Sequence, residues 1–178
     1  SVAQAQNGPK TATGPTLLTV SGLIGAGNRG AFDPALDQMM GKQKLQFSKA
    51  HAFDFAALSA LPAVTIKPTL EYDSKAHSLK GPLLLEVMKA CGVKVTPKTA
   101  FFLRAVDGYA AQISAAEAAK YGFIVATHLD GRPMALGGLG PLWGVYDADR
   151  FPDKMAKPLP ERFGNCPWAT YHIEVKEA

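Results

Sequence analysis

Two aromatic residues, Trp143 and Tyr146, follow a glycine-rich segment that could form the wall of a ligand pocket. The segment runs from the turn Asp130-Gly131-Arg132-Pro133-Met134 to Gly140-Pro141-Leu142, which leads directly to the two rings. Glycine lets backbone N–H groups approach a ligand closely, and aromatic rings beside such a loop can stack on a flat heterocycle. These residue types therefore indicate recognition of a planar ligand, and packing of both rings in the core is the alternative.

A second group of polar residues lies at the end of an apolar strand predicted from Thr99 to Val106. Arg104 is the one charged residue of that strand, and a buried charge needs a partner or a ligand because burying it alone is costly. The turn Asp107-Gly108-Tyr109 follows and could present a carboxylate and a ring. This pattern fits a ligand role for Arg104 and an internal Arg104–Asp107 pair equally well.

Other motifs give no positive sign of catalysis or metal binding. Gly25-Ala26-Gly27-Asn28-Arg29-Gly30 has the spacing of a dinucleotide-binding loop. Pro34 interrupts the helix that such a site requires, and no second strand ends in an acidic residue at the usual distance, so we predict a glycine-rich turn. The chain has neither a CxxC nor a G-x-S-x-G motif. The histidines show no metal-ligand spacing; they are His51, His77, His128 and His172.

Composition fits one globular domain. The chain has 178 residues, of which 47% are hydrophobic and 19% charged; we divide it into an N-terminal tail, residues 1–14, and a single domain, residues 15–178. The net charge of +4 comes from scattered lysines, which argues against nucleic-acid binding. No apolar run approaches the roughly 18 residues of a membrane span.

The N-terminus and the cysteines bear on the cellular compartment. Residues 1–7 have the small-x-small pattern of a signal-peptidase cleavage region, which predicts an exported protein whose signal peptide has been removed. In an oxidising compartment Cys91 and Cys166 could form a disulfide. Two free, buried thiols are the alternative.

The elements that must position these residues are strands more often than helices. Apolar runs predict strands over residues 17–24, 63–72, 99–106, 123–129, 142–146 and 169–176. Capping residues and apolar stripes predict short helices over residues 33–40, 54–61, 81–90 and 114–120. In the clearest of these, Pro82 lies in the first turn and Gly92 provides a left-handed stop. Residues 147–168 form a long, proline-rich connection, and the whole pattern predicts a mixed α+β fold.

The order and spacing of four short motifs resembles the molybdopterin-binding domain of the sulfite-oxidase type. The motifs are Gly81-Pro82-Leu83-Leu84-Leu85, Arg104-Ala105-Val106-Asp107-Gly108-Tyr109, Asp130-Gly131-Arg132-Pro133-Met134 and Gly140-Pro141-Leu142-Trp143. The match extends from about Leu17 to the last strand. It implies an α+β fold with a mixed, barrel-like β-sheet core and short helices.

This chain departs from that family at the residues that hold the cofactor. Family enzymes bind molybdenum through a cysteine shortly before the helix predicted at Gly81, where this chain reads Lys67-Pro68-Thr69-Leu70-Glu71-Tyr72. The family's phosphate-holding histidine and arginine align with Gly138 and Trp143. A thiolate is the expected molybdenum ligand and an arginine the usual phosphate anchor. Losing both argues against a bound molybdenum cofactor.

The resemblance is therefore closest to the cysteine-lacking, periplasmic pterin-binding regulators built on the same domain. It implies a non-catalytic periplasmic protein that binds a pterin and acts through the periplasmic domain of a membrane-bound cyclic-di-GMP enzyme. In this interpretation Arg104 or Asp107 hydrogen-bonds the pterin edge, and an aromatic ring, above all Trp143, stacks on its face. The predicted ligand-binding residues are Thr69, Tyr72, Arg104, Asp107, Tyr109 and Trp143.

Three alternatives stay open at this point. The first is a molybdopterin-dependent oxidoreductase that lacks the usual cysteine ligand. A dinucleotide-dependent enzyme and a structural or partner-binding domain with an empty pocket are the others.

Overall fold

A computed structural model describes residues 13–178, so the N-terminal pattern at residues 1–7 lies outside the described residues. The strands are β1 (Thr16–Gly22), β2 (Ala50–Asp54), β3 (Ala63–Ile66), β4 (Leu79–Pro82), β5 (Thr99–Ala105), β6 (Ala110–Ser114), β7 (Ile124–Ala126), β8 (His128–Leu129), β9 (Arg132–Pro133), β10 (Trp143–Val145) and β11 (Thr170–Glu177). The α-helices are α1 (Gln38–Lys42), α2 (Phe55–Ser59), α3 (Leu84–Ala90), α4 (Ala115–Tyr121) and α5 (Pro152–Met155), and 3-10 turns cover Ala148–Arg150 and Leu159–Glu161. The predicted α+β class, with sheets predominating over short helices, is confirmed.

Three sheets organise the described residues. The largest has the order β2-β1-β11-β5-β6, in which only β1 and β11 are parallel. A four-stranded antiparallel sheet has the order β3-β4-β8-β9, and β7 pairs with β10. The last strand of the chain thus lies at the centre of the main sheet. Within residues 13–178 these sheets remain open and do not close into a barrel.

Helices with local capping signals begin where the sequence predicts. Ser114 caps α4, because its hydroxyl accepts from the Glu117 N–H at 2.9 Å while the Glu117 carboxylate accepts from the Ser114 N–H at 2.9 Å. Gly122, with φ 65°, ends that helix. Asp54 caps α2 by accepting from the Ala57 N–H at 2.8 Å. Among residues 13–178, no helix is long and apolar enough to cross a membrane.

The helix predicted at residues 81–90 begins later than expected. Gly81 and Pro82 belong to β4, and α3 starts only at Leu84. A Cβ on Gly81 would lie 1.9 Å from the Val125 carbonyl oxygen, so β4 packs against β7 at a distance that only glycine permits. Pro82 therefore ends a strand and does not open a helix.

Other boundaries also differ from the prediction. The strand predicted over residues 63–72 ends at Ile66, the helix predicted over residues 33–40 lies later, at Gln38–Lys42, and residues 123–129 form two short strands. Strands β2, β4, β6 and β9 are not predicted. Strand β6 is rich in alanine, which has low strand propensity, and it becomes a strand through its pairing with β5.

The glycine-rich segment 25–30 forms a turn, as predicted. Gly27 has φ 73°, and a Cβ there would lie 2.4 Å from the Ala50 carbonyl oxygen. The Asn28 side chain exchanges two hydrogen bonds with the backbone of Ala52, at 2.7 and 3.0 Å. The segment is therefore docked on β2 and does not open a helix.

Candidate functional site

A pocket of about 260 Å³ opens beside the turn between β5 and β6. We call it the aromatic pocket, because four of its lining residues are Tyr72, Tyr109, Phe163 and Trp168. Glu71, Asp107 and Cys166 also line it. The volume lies just below the usual range for small-molecule sites, so it suits a small ligand.

Hydrogen bonds fix the rings around the opening. Trp168 Nε1 donates to the Tyr72 hydroxyl at 2.7 Å, and the two rings meet edge to face with centroids 6.3 Å apart. On the opposite side the Tyr109 hydroxyl donates to the Gly164 carbonyl. The exposed fractions of Tyr72, Tyr109 and Trp168 are 47%, 52% and 45%. These rings are thus held in place and still offer surface to a ligand.

The β5–β6 turn places Asp107 at the pocket. Gly108 has φ 92° and its N–H donates to the Ala105 carbonyl at 2.9 Å. Asp107 Oδ1 accepts from the Tyr109 N–H at 2.9 Å, an arrangement in which an Asp side chain stabilises its own turn. The carboxylate is exposed, and its position is set by this bond.

Three of the six predicted ligand-binding residues line the aromatic pocket: Tyr72, Asp107 and Tyr109. Arg104 does not line it. Its Nη1 donates to the Gly108 carbonyl at 3.4 Å, and among the described residues it forms no ion pair with Asp107. Arg104 instead lies opposite His172 on β11. Burial, aided by the Arg104 charge, lowers the pKa of His172 to about 4.

Thr69 has a structural contact. Its N–H and hydroxyl both donate to Asp149 Oδ2, at 2.9 and 2.7 Å. These bonds tie the segment that carries Tyr72 to the 3-10 turn at Ala148–Arg150. Thr69 does not line the pocket.

Trp143 lies in the core and not on the ligand side of the pocket. Its exposed fraction is 0%, and Nε1 donates to the Cys166 carbonyl at 2.9 Å. The ring packs beneath Tyr72 and Phe163, with centroid distances of 6.3 and 6.1 Å. The prediction that Trp143 stacks on a ligand does not fit this burial. Its strand β10 is buried along its whole length, so the ring supports the pocket wall from below.

The glycine-rich turn at residues 130–134 lies away from the aromatic pocket. Asp130 has φ 50° and Gly131 φ 83°, and the two residues connect β8 to β9. The Asp130 carboxylate contacts His77 Nδ1 at 2.7 Å and accepts from the Ser78 N–H at 2.9 Å. The predicted role of this turn as a pocket wall is not supported, because the turn binds the segment before β4.

Sequence reasoning missed Glu71, Phe163 and Trp168. Trp168 follows Pro167 at the end of the connection that precedes β11, and its large exposed ring was the available signal. Residues 163–168 fall within the predicted proline-rich connection. Glu71 belongs to the strand predicted over residues 63–72, and the sequence does not indicate that its carboxylate lines a pocket.

The thiols are not activated. Cys91 and Cys166 are both free and buried, so the structure agrees with the alternative to a disulfide. Burial raises the pKa of Cys91 to about 12 and raises the pKa of Cys166 as well. Cys166 Sγ donates to Asn165 Oδ1 at 3.4 Å. Burial also raises the pKa of Tyr72 to about 12, so this hydroxyl is neutral near pH 7.

The donor set of the aromatic pocket does not fit a molybdenum cofactor. The thiol in its lining, Cys166, is buried and donates to Asn165 Oδ1 at 3.4 Å. The charged lining residues, Glu71 and Asp107, are both carboxylates, which disfavour the phosphate of such a cofactor. Within residues 13–178, no group of three or more His, Cys, Asp or Glu side chains is arranged to hold a metal ion.

The chain shares its fold with a sulfane dehydrogenase. The crystal structure of SoxCD from Paracoccus pantotrophus matches with a TM-score of 0.59 and 10% sequence identity, over 90% of this chain and 38% of that chain. The present chain thus spans little more than a third of that protein's length. At this identity the likeness shows a shared fold alone. No family model matches the chain, and no curated protein matches its sequence.

Proposed function

We propose that this chain is a non-catalytic, periplasmic pterin-binding protein whose ligand occupies the aromatic pocket. The observation that carries the proposal is the combination of exposed, hydrogen-bonded rings with carboxylate acceptors around one small pocket. A pterin is a flat bicycle whose amino and amide groups present adjacent N–H donors. A carboxylate can accept two such donors side by side.

Asp107 is the carboxylate that the turn geometry favours for this contact. Its Oδ1 accepts a hydrogen bond from the Tyr109 N–H. This bond orients the carboxylate, including Oδ2, before any ligand binds. The alternative edge partner, Arg104, lies outside the pocket lining and donates to Gly108. In this proposal the N–H donors at the edge of the ligand therefore bind to a carboxylate and not to a guanidinium.

Trp168 and Tyr72 are the rings best placed to contact the face of the ligand. Their mutual hydrogen bond of 2.7 Å limits the side-chain freedom that ligand binding would otherwise have to freeze. An aromatic contact of this kind contributes about 0.5–1.5 kcal/mol beyond burial. The stacking role that the sequence suggested for Trp143 belongs, in this proposal, to these two residues.

Titration calorimetry with reduced and oxidised pterins tests the proposal. We expect the wild type to bind, and Trp168→Ala to bind about tenfold more weakly because it loses the ring and its bond to Tyr72. Leu136→Ala is the control, since Leu136 is an exposed apolar residue outside the pocket lining. Absence of binding to every pterin would overturn the proposal.

The proposed downstream role is to report pterin binding to the periplasmic domain of a membrane-bound cyclic-di-GMP enzyme. It is supported by the resemblance of the sequence to the pterin-binding regulators. A pull-down with such a receptor domain, with and without pterin, tests it. The role would be refuted if the chain does not capture the receptor domain above background, or if pterin does not change the amount captured.

The shared fold with a sulfane dehydrogenase favours one second candidate, a molybdopterin-dependent oxidoreductase without a thiolate ligand. Metal analysis of protein purified from a host that makes the molybdenum cofactor separates the two functions. Stoichiometric molybdenum would replace our proposal with the enzyme.

A further inference from the structure

The charged side chains that line the aromatic pocket have one sign. Glu71 and Asp107 line it from different chain segments, and no lysine, arginine or histidine among residues 13–178 belongs to the lining. Apolar rings occupy most of the remaining wall. Charge interactions are stronger beside such walls than in open water, so this imbalance bears on which ligands can enter.

Arg104, the cation closest to the pocket along strand β5, is directed elsewhere. Its guanidinium donates to the Gly108 carbonyl at 3.4 Å and lies near Tyr171 and His172. Burial has the larger effect on both pKa values; the Arg104 charge opposes it at Tyr171 and adds to it at His172. Burial raises the pKa of Tyr171 and lowers that of His172. Arg104 therefore faces the β11 side of β5, and it forms no ion pair with either pocket carboxylate.

Glu71 lines the aromatic pocket beside Tyr72. Burial is the main cause of the raised pKa values of Tyr72 and Cys166; the Glu71 charge adds to both, while the Lys154 charge lowers that of Cys166. Tyr72 and Cys166 line the same pocket as Glu71. Asp107 lines the same pocket from the β5–β6 turn. A ligand in the pocket thus has a carboxylate from each of two segments nearby.

We infer that Glu71 and Asp107 make the pocket selective for ligand charge: it accepts an unphosphorylated pterin with N–H donors and rejects the same pterin carrying a phosphate ester. The inference rests on the proposed function and adds to it the class of pterin. A phosphate group brings close to two negative charges at neutral pH. Placing like charges together at a binding site is strongly unfavourable, and the two carboxylates provide that repulsion.

A matched pair of ligands tests this selectivity. A reduced pterin with a hydroxylated side chain and its phosphate ester differ only in the charged group, and calorimetry gives both dissociation constants. We expect the phosphate ester to bind the wild type at least about tenfold more weakly. In the double variant Glu71→Gln/Asp107→Asn this ratio should fall toward one, because the amides keep the shape and remove the charge.

Two controls separate charge from structural damage. Asn at position 107 retains the oxygen that accepts from the Tyr109 N–H, and Glu177→Gln removes one charge at the exposed end of β11. Glu177→Gln should leave the ratio unchanged. In the wild type, raising the salt concentration should also lower the ratio of the two dissociation constants, because salt screens the charges. This test needs no variant.

The outcomes distinguish this inference from the function on which it rests. If neither pterin binds the wild type, the proposed function fails and the charge selectivity fails with it. If both bind with equal affinity, or if the ratio persists in the double variant and at high salt, the selectivity is refuted while the function stands.

Discussion

Replacing Trp143 with phenylalanine should destabilise the domain and leave the exposed rings of the aromatic pocket in place. The variant removes the Nε1–H that the Cys166 carbonyl accepts at 2.9 Å in a fully buried environment. An unsatisfied buried acceptor costs about 1–3 kcal/mol, and the smaller ring leaves a void beside Phe163 whose cost adds to it. We expect a loss of about 3 kcal/mol in the free energy of unfolding, or about 6–12 °C in Tm.

Urea denaturation followed by far-UV circular dichroism measures this change. Trp168→Phe is the matched control, because Trp168 is 45% exposed and its hydrogen bond joins it to an exposed tyrosine. We expect the control to unfold within about 0.5 kcal/mol of the wild type. The chain has two tryptophans, so each variant leaves one, and pterin should change the emission of the Trp143→Phe protein more than that of the Trp168→Phe protein.

The opposite pattern would refute the reasoning. If Trp143→Phe unfolds at the wild-type urea concentration and no longer responds to pterin, its ring contacts the ligand and not the core. The assignment of the pocket wall to Trp168 would then be wrong.

Two further predictions concern titratable groups. The His77 imidazole lies between the carboxylates of Asp130 and Asp73, whose hydrogen bonds raise its pKa above the ordinary 6.5. The protonated imidazole therefore stabilises the folded state. Its contribution is complete below about pH 6.5 and is lost as the pH rises through the raised pKa. It is also lost in acid, as the pH falls through the lowered pKa values of the two carboxylates. His77→Gln should therefore lower the urea midpoint more at about pH 5 than at about pH 9, and an equal effect at both would contradict this. Burial raises the pKa values of Cys91 and Cys166, so Ellman's reagent should label both thiols slowly in the native protein and rapidly in urea; rapid native labelling would show that one is accessible.

Local signals explain which elements could be predicted from sequence. Ser114 and Glu117 lie three residues apart and cap α4 through bonds to each other, so the helix start is visible in a few letters. Gly81-Pro82 is also a short signal, but Gly-Pro is compatible with both a strand end and a helix start. The Val125 carbonyl, far along the chain, decides between them by its close approach to Gly81.

The same distinction applies to the candidate site. Asp107 and Tyr109 share one tight turn after a clear strand, so their proximity follows from sequence spacing. Trp168 reaches the pocket because its indole bonds to Tyr72, and the segment of Tyr72 is held in turn by the bonds between Thr69 and Asp149. Such contacts join distant segments, and neither periodicity nor capping residues indicate them.

The position of Trp143 explains why a phosphate anchor cannot be restored there by a single substitution. The resemblance aligns this residue with a phosphate-holding arginine, but the structure places its side chain in the core, bonded to the Cys166 carbonyl. An arginine at this position would be a buried cation beside the Cys166 carbonyl. Among the described residues no carboxylate bonds to the side chain now at this position, so the cation would lack an ion pair, which costs several kcal/mol. Meanwhile the ligand side of the wall carries Glu71 and Asp107. Core packing and pocket charge thus both oppose an anionic ligand, and converting this site to phosphate binding would require changing both at once.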